Sequence, residues 1–227
     1  MRKRLFIVGT GTDVGKTYVT GLILKKLRES GKKTAYFKAA MSGNQRDQEN
    51  RLIPGDALAV RAASGIDQPL EDMCPYVYEQ ACSPHLAAQI EGNPVRMQTV
   101  KACFDALCDK YDYVTVEGAG GILCPLRFDE EKLQSEDVIK ALGLPCLIVA
   151  DAGLGAINAV GLTAAYMKTK NIPVKGIILN RFHPGDVMEE DNLKMCEFMT
   201  GLRVLACVKY GDEALDVDAK ALAALYE

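Results

Sequence analysis

The residues best suited to chemistry lie near the start of the chain, in Gly9-Thr10-Gly11-Thr12-Asp13-Val14-Gly15-Lys16-Thr17. An apolar run, residues 5–8, precedes them, and a segment with helical spacing (Val19, Leu22, Ile23, Leu27) follows. Strand, glycine-rich turn, Gly-Lys-Thr and helix is the layout of a loop that cradles phosphates. Glycines let backbone N–H groups curl around an oxyanion, and the helix N-terminus adds free donors and the positive end of its dipole. Gly11, Thr12, Asp13, Val14 and Gly15 are expected to wrap the phosphates of a nucleotide. Lys16 is expected to reach the β- and γ-phosphates, and the Thr17 hydroxyl to ligate Mg²⁺. Gly9 and Gly15 enclose five residues, one more than the usual pattern.

Other polar residues stand where apolar runs stop, the places at which open α/β sheets bind ligands. Lys38 ends the run 34–37, Glu117 ends 113–116 and Asn180 ends 174–179. Glu117 opens Glu117-Gly118-Ala119-Gly120-Gly121; a carboxylate there can ligate Mg²⁺ with room left for substrate, or simply precede a flexible turn. Asp56, after Pro54-Gly55, reads equally as a helix N-cap and as a second Mg²⁺ ligand. Lys38 is either a solvated strand-end lysine or a cation for developing oxyanions. Ser42, beside Gly43, can donate to an oxyanion or cap a turn. His85, at a helix start, is expected to make a structural hydrogen bond. The Asn180 amide can pair with the edge of adenine.

The elements that must position these groups alternate along the chain. Strands are predicted at 5–8, 34–37, 113–116, 146–150, 174–179 and 203–208. Helices are predicted from Lys16 onward and at 56–63, 84–91, 95–110, 135–142, 156–169, 189–199 and 216–226, with Ser83 as N-cap and Pro84 at the first helical position. A polar insert covers 42–51, and 65–83 is irregular. Near-continuous apolar strands separated by helices specify an α/β fold, a mostly parallel sheet with helices on both faces, P-loop NTPase-like. The 227 residues are expected to form a single domain, 1–227. A net charge of −3 argues against non-specific nucleic-acid binding. No run of about 20 apolar residues predicts a membrane span. The eight cysteines show no Cys-x-x-Cys pair and only two histidines accompany them, which speaks for free thiols in a reducing cytoplasm over zinc or disulfides.

Taken together, these residues resemble the dethiobiotin synthetase family. The family's lengthened loop matches Gly9 to Thr17, its Lys-x-x-x-Ser-Gly matches Lys38, Ser42 and Gly43, and its Asp-Ala-Leu helix start matches Asp56-Ala57-Leu58. Pro75-Tyr76, Ser83-Pro84-His85, Val116 to Gly121, Leu154-Gly155-Ala156-Ile157-Asn158 and Asn180 match further signatures, so the similarity spans residues 5–182. Gly11 stands where many members carry Asp, Asp13 where many carry Glu, and Ala39 where Pro is frequent; Cys207-Val208-Lys209-Tyr210 lacks a frequent Pro.

The resemblance implies conversion of 7,8-diaminopelargonic acid, CO₂ (or bicarbonate) and ATP to dethiobiotin, ADP and phosphate through a phosphorylated carbamate. It implies Lys16, Lys38 and Thr12 as catalytic residues, and Thr17, Asp56 and Glu117 as Mg²⁺ ligands. Nucleotide binding would fall to residues 11–17 and Asn180. Substrate binding would fall to Ser42, Glu117, Gly118, Ala119, Gly120, Gly121, Leu154, Gly155 and Asn158. It also implies a homodimer with interface active sites, the 154–158 turn of one subunit serving substrate on the other. Two alternatives stay open: a regulatory ATPase of the partitioning type, which carries an early loop lysine where this chain has Thr10 and Gly11, and a related amidation ligase, which normally adds a glutamine-hydrolysing domain.

Overall fold

The computed structural model describes residues 3–227. In chain order the elements are β1 (Lys3–Gly9), α1 (Lys16–Glu29), β2 (Thr34–Lys38), β3 (Gln45–Arg46), β4 (Leu52–Ile53), α2 (Gly55–Ser64), α3 (Pro84–Ile90) and α4 (Met97–Lys110). They continue with β5 (Tyr113–Gly121), β6 (Pro125–Phe128), β7 (Lys132–Gln134), α5 (Ser135–Leu142), β8 (Cys146–Asp151), α6 (Ala156–Thr169), β9 (Val174–Asn180), α7 (Val187–Thr200), β10 (Val204–Val208) and α8 (Ala219–Ala224). Six strands form one sheet in the order β10-β9-β8-β1-β5-β2, and every neighbouring pair is parallel.

Period-two alternation along β1 divides its side chains between two cores. Leu5 and Ile7 join Val19, Ile23 and Leu27 of α1 and Leu222 of α8. Phe6 and Val8 join the opposite layer, with Phe104 of α4, Ile139 of α5, Val160 of α6 and Cys196 of α7. Each such side chain contributes about 1.5–3 kcal/mol when fully buried. Helix α2 closes over the outer end of the sheet, where Val60 and Ala57 meet Leu24 and Tyr36. It approaches α1 closely because Gly21 has no side chain; a Cβ there would lie 3.0 Å from that of Ala63. The predicted α/β class, parallel sheet and two helical layers are therefore present.

Several boundaries differ from the sequence reading, each for a local reason. Strand β5 does not stop at Val116 but runs through the glycines to Gly121, which pairs with Gly9 after a register shift in β1. Gly118 makes this possible, since a Cβ there would sit 2.9 Å from the Phe6 ring. Two short hairpins, β3–β4 and β6–β7, are antiparallel; their strands of 2–4 residues are too short to show a period. Helix α7 begins at Val187 because the Asp186 carboxylate caps it, accepting from the Glu189 N–H. The last helix is shorter than 216–226 because Asp218 caps it at Ala219. Helix α4 starts at Met97, two residues late. Ser83 holds the N-cap position before Pro84, but its side chain makes no capping bond. Asp56 falls inside the first turn of α2, after Pro54, and is not the N-cap. No helix of the described residues is long and apolar enough to cross a membrane.

The end of the chain is tied to its beginning. The Arg4 N–H donates to the Glu227 carbonyl at 2.8 Å, and the Glu227 N–H donates back to Arg4 at 3.1 Å. Tyr226 is fully buried, with its hydroxyl 2.7 Å from that of Thr115, itself fully buried in β5. Tyr226→Phe should destabilise the fold by about 1–3 kcal/mol, the effect of leaving a buried hydroxyl without its partner. Combining it with Thr115→Val should recover most of that loss, because an apolar pair leaves nothing unsatisfied. Urea denaturation of the two single variants and the double variant measures both.

Candidate active site

Beyond the carboxyl ends of β1, β2 and β5 lies a cavity of about 870 Å³, lined by Thr12, Lys16, Thr17, Lys38, Ser42, Asp56 and Glu117 among others. Its floor is organised around Glu117, a carboxylate only 1% exposed. The parallel register of β2 and β5 sets Lys38 directly opposite Glu117. Lys38 Nζ donates to Glu117 Oε1 at 2.7 Å and to Asp56 Oδ2 at 2.6 Å. The Thr17 hydroxyl donates to the same Oε1 at 2.9 Å, and the Tyr36 hydroxyl to Oε2 at 3.2 Å. Burial works to lower the Lys38 pKa, but the charges of Glu117 and Asp56 outweigh it and hold the ammonium above the usual lysine value. Lys38 is thus not a solvated strand-end lysine, since it is 6% exposed and committed to two carboxylates.

Lys16 sits differently. Its ammonium folds back onto the loop and donates to the Gly11 carbonyl at 2.9 Å. This path exists because residue 9 is glycine, where a Cβ would lie 2.8 Å from the Lys16 Cδ and 3.0 Å from its Nζ. Burial, then the nearby charge of Lys38, lowers the Lys16 pKa; Glu117 and Asp56 oppose the shift. Two lysines and two carboxylates therefore face one cavity, and the charge of Lys38 is balanced by Glu117 and Asp56 while Lys16 is bonded only to a backbone carbonyl.

The remaining predicted residues divide into those that reach the cavity and those that do not. Asp13, Gly15, Ala119 and Gly120 line it. Gly120 adopts φ 56°, and a Cβ there would be 3.3 Å from the Cys124 Sγ and 3.6 Å from the Thr12 hydroxyl. The Ser42 hydroxyl donates to the Cys82 carbonyl at 2.5 Å, holding the 82–84 segment against the cavity rim. Gly118 packs against Phe6, and Gly121 beside the Gly9 and Thr10 carbonyls. Asn180, 4% exposed, donates from its amide to the Val14 carbonyl at 3.1 Å. Leu154, Gly155 and Asn158 are exposed at the start of α6 and are not among the residues lining the cavity. His85 does not make the expected structural hydrogen bond: its Nδ1 is buried with no partner, and its ring meets Phe128 edge-on at 6.4 Å.

The sequence reading did not single out Cys124 and Arg181, which line the cavity, or Tyr36, which lies buried behind Glu117. Tyr36 shares a face of β2 with Lys38 by strand alternation, a signal that was available. Cys124 follows the glycine run and faces both lysines, while burial pushes its thiol up. Arg181 follows Asn180 in a left-handed conformation, φ 58°.

The donor set suits Mg²⁺. The Asp56 and Glu117 carboxylates already converge on a cation, the Lys38 ammonium, and the Thr17 hydroxyl lies 2.9 Å from one of them. Among the described residues no three His, Cys, Asp or Glu side chains gather at one point. One or two carboxylates, a hydroxyl and the oxygens of phosphates and water are the hard ligands Mg²⁺ takes.

Comparison with known proteins identifies the family. The family described as an AAA domain matches residues 3–216. The ATP-dependent dethiobiotin synthetase BioD of Brachyspira hyodysenteriae is 45% identical over 228 residues, covering 100% of both chains. Among solved structures, MinD in the MinC:MinD cell division complex of Aquifex aeolicus aligns with TM-score 0.57 at 12% identity, covering 98% of this chain and 86% of that one. A ParA family ATPase from Chlorobium tepidum aligns with TM-score 0.54 at 15% identity, covering 99% and 89%. At such identities the two structures share the fold alone, whereas the full-length similarity to the synthetase places this chain in the dethiobiotin synthetase family.

Proposed function

We propose that the chain acts as one unit, residues 1–227, to form dethiobiotin from 7,8-diaminopelargonic acid, CO₂ and ATP in the cytoplasm. The observation that carries this reading is the second lysine. Lys38 is held between Glu117 and Asp56 beside the phosphate loop, on β2 and not early in the loop where a partitioning ATPase carries its additional lysine, which makes its charge available to a carbamate acceptor. The family relationship supports the same reaction.

In this reading one amine of the diamine adds to CO₂ and loses a proton, giving a carbamate. A carbamate oxygen attacks the γ-phosphorus, and ADP leaves. The second amine then attacks the carbonyl of the mixed anhydride, closes the five-membered ring and expels phosphate. Carbamate and triphosphate repel one another, and Lys16 and Lys38 offset that repulsion. Thr12 and Ser42 position the carbamate and diamine, and Ala119 and Gly120 leave the backbone open to them. Thr17, Asp56 and Glu117 would hold Mg²⁺, which neutralises charge on the β- and γ-phosphates. Holding the second amine beside the activated carbonyl is mainly proximity work.

Asn180 supports ATP as the nucleotide. One N–H of its amide goes to the Val14 carbonyl, and the remaining N–H with Oδ1 offers the donor and acceptor pair that fits the N7 and amino group of adenine. A homodimer is supported by the start of α6. Leu154 is 93% exposed there, and the free N–H groups that open α6 could bind a carboxylate from substrate on the partner.

Three outcomes follow. Phosphate release should require the diamine and CO₂ together; measured with each omitted in turn, rapid hydrolysis without diamine would favour a switch ATPase. Lys38→Gln should lower kcat by about 10²–10³, as removal of an oxyanion stabiliser does, while ATP binding by titration calorimetry persists. Its melting midpoint should also fall, because Glu117 then lies buried without its counter-charge. Finally, if Lys16→Ala and Asn158→Ala are each inactive but folded, mixing them should restore roughly a quarter of native activity. Half the dimers are then mixed and each carries one intact site. No recovery despite demonstrated subunit exchange would assign Asn158 to its own subunit's site.

A further inference from the structure

Asn180 ends β9 beside the phosphate loop, Arg181 follows it, and the two hold consecutive loop carbonyls. The Asn180 amide donates to Val14 O at 3.1 Å, and Arg181 Nη2 donates to Asp13 O at 2.7 Å. Peptide groups are planar, and the described residues contain no cis bond, so each N–H points away from the C=O of its own peptide. Turning the Asp13 and Val14 carbonyls outward therefore turns the N–H groups of Val14 and Gly15 inward, toward the cavity that Asp13 and Gly15 line.

The loop would not hold this shape by local preference alone. Asp13 is left-handed at φ 59°, and so is Gly15 at φ 86°. A left-handed conformation in a residue other than glycine persists where the surroundings enforce it. Arg181 is itself left-handed and is steered from its other side: Nη1 donates to Asp151 Oδ2 at 2.8 Å, while Asp151 Oδ1 accepts from the Gly153 N–H at 3.0 Å. The backbone beneath is fixed too, since the Ala152 N–H donates to the Asn180 carbonyl at 2.9 Å and the Phe182 N–H to the Val208 carbonyl at 2.9 Å. Asn180 packs so close that a Cβ on Gly15 would meet its amide nitrogen at 2.0 Å.

We propose that Asn180 and Arg181 orient the Val14 and Gly15 peptides of the phosphate loop before nucleotide arrives, Arg181 serving as a positioning residue for the phosphates. This rests on the nucleotide reading of the loop but not on the identity of the second substrate. Arg181 lines the cavity, so the competing role is direct contact with the nucleobase or ribose. The two roles differ in what they predict for a ligand without a nucleoside. The Arg181–Asp151 pair is half-exposed, 43% on each side, and such pairs add little stability. Variants at 181 should therefore stay folded.

The experiment measures binding of inorganic tripolyphosphate and of ATP, each with magnesium chloride, by titration calorimetry. The proteins are native, Arg181→Met and Arg181→Asn, the last chosen because asparagine tolerates the left-handed conformation. Both variants should lose about tenfold in affinity for both ligands, leaving the ratio of the two constants unchanged, while the melting midpoint stays at the native value. Asp151→Asn should show part of the same loss and add little to Arg181→Met. Loss for ATP with tripolyphosphate unaffected would replace the proposal with direct nucleoside contact. Native affinity for both ligands in both variants would overturn it. A native protein that binds neither polyphosphate would overturn the nucleotide reading itself.

Discussion

A carboxylate withdrawn from water must be matched by donors on every side, and the site depends on how the fold meets that demand at Glu117. Lys38 and Thr17 share one oxygen and Tyr36 takes the other. These partners come from β2 and α1, so the carboxylate, itself on β5, fixes the relative placement of three elements. Strand register is the means. A slip of one residue between β2 and β5 would turn Lys38 into the layer that now holds Phe37 and leave Glu117 without its cation. The same ammonium engages Asp56, which draws the first turn of α2 over the rim.

Much of this was legible in the residues. The phosphate loop announced itself through its glycines and its flanking strand and helix. Lys38, Glu117 and Asn180 stood out because polar residues ended apolar runs, and parallel strands carry their sites at such ends. What one-dimensional reading could not supply was pairing. Nothing in the run after Glu117 says that it remains a strand; the glycines read as a turn until Gly121 is seen beside Gly9. Nor could spacing show that Lys38 is buried, since a lysine at a strand end is equally at home in solvent. His85 illustrates the reverse: its type and position suggested a hydrogen bond, and packing against Phe128 took precedence.

The shared architecture with MinD and a ParA family ATPase shows what this fold supplies and what it leaves to be added. A parallel sheet, a loop after β1 and a helix behind it suffice to hold phosphates. In this chain Lys38, Glu117 and Asp56 stand together at the neighbouring strand end. A fold of this kind hosts unrelated activities, and what a member does is decided by the side chains at its site.

The central position of β1 also governs the order in which the molecule can assemble. The glycine-rich loop follows β1 directly, yet β1 lies between β5, paired from Lys3↔Tyr113 onward, and β8, paired from Phe6↔Cys146 onward. Such pairings join parts of the chain remote in sequence, and topologies rich in them fold slowly because long loops must close first. During vectorial synthesis the loop therefore leaves the ribosome long before its scaffold does. Competence to hold a nucleotide is reached only after β8 (Cys146–Asp151) has emerged, so the loop waits, already translated, for strands made long after it.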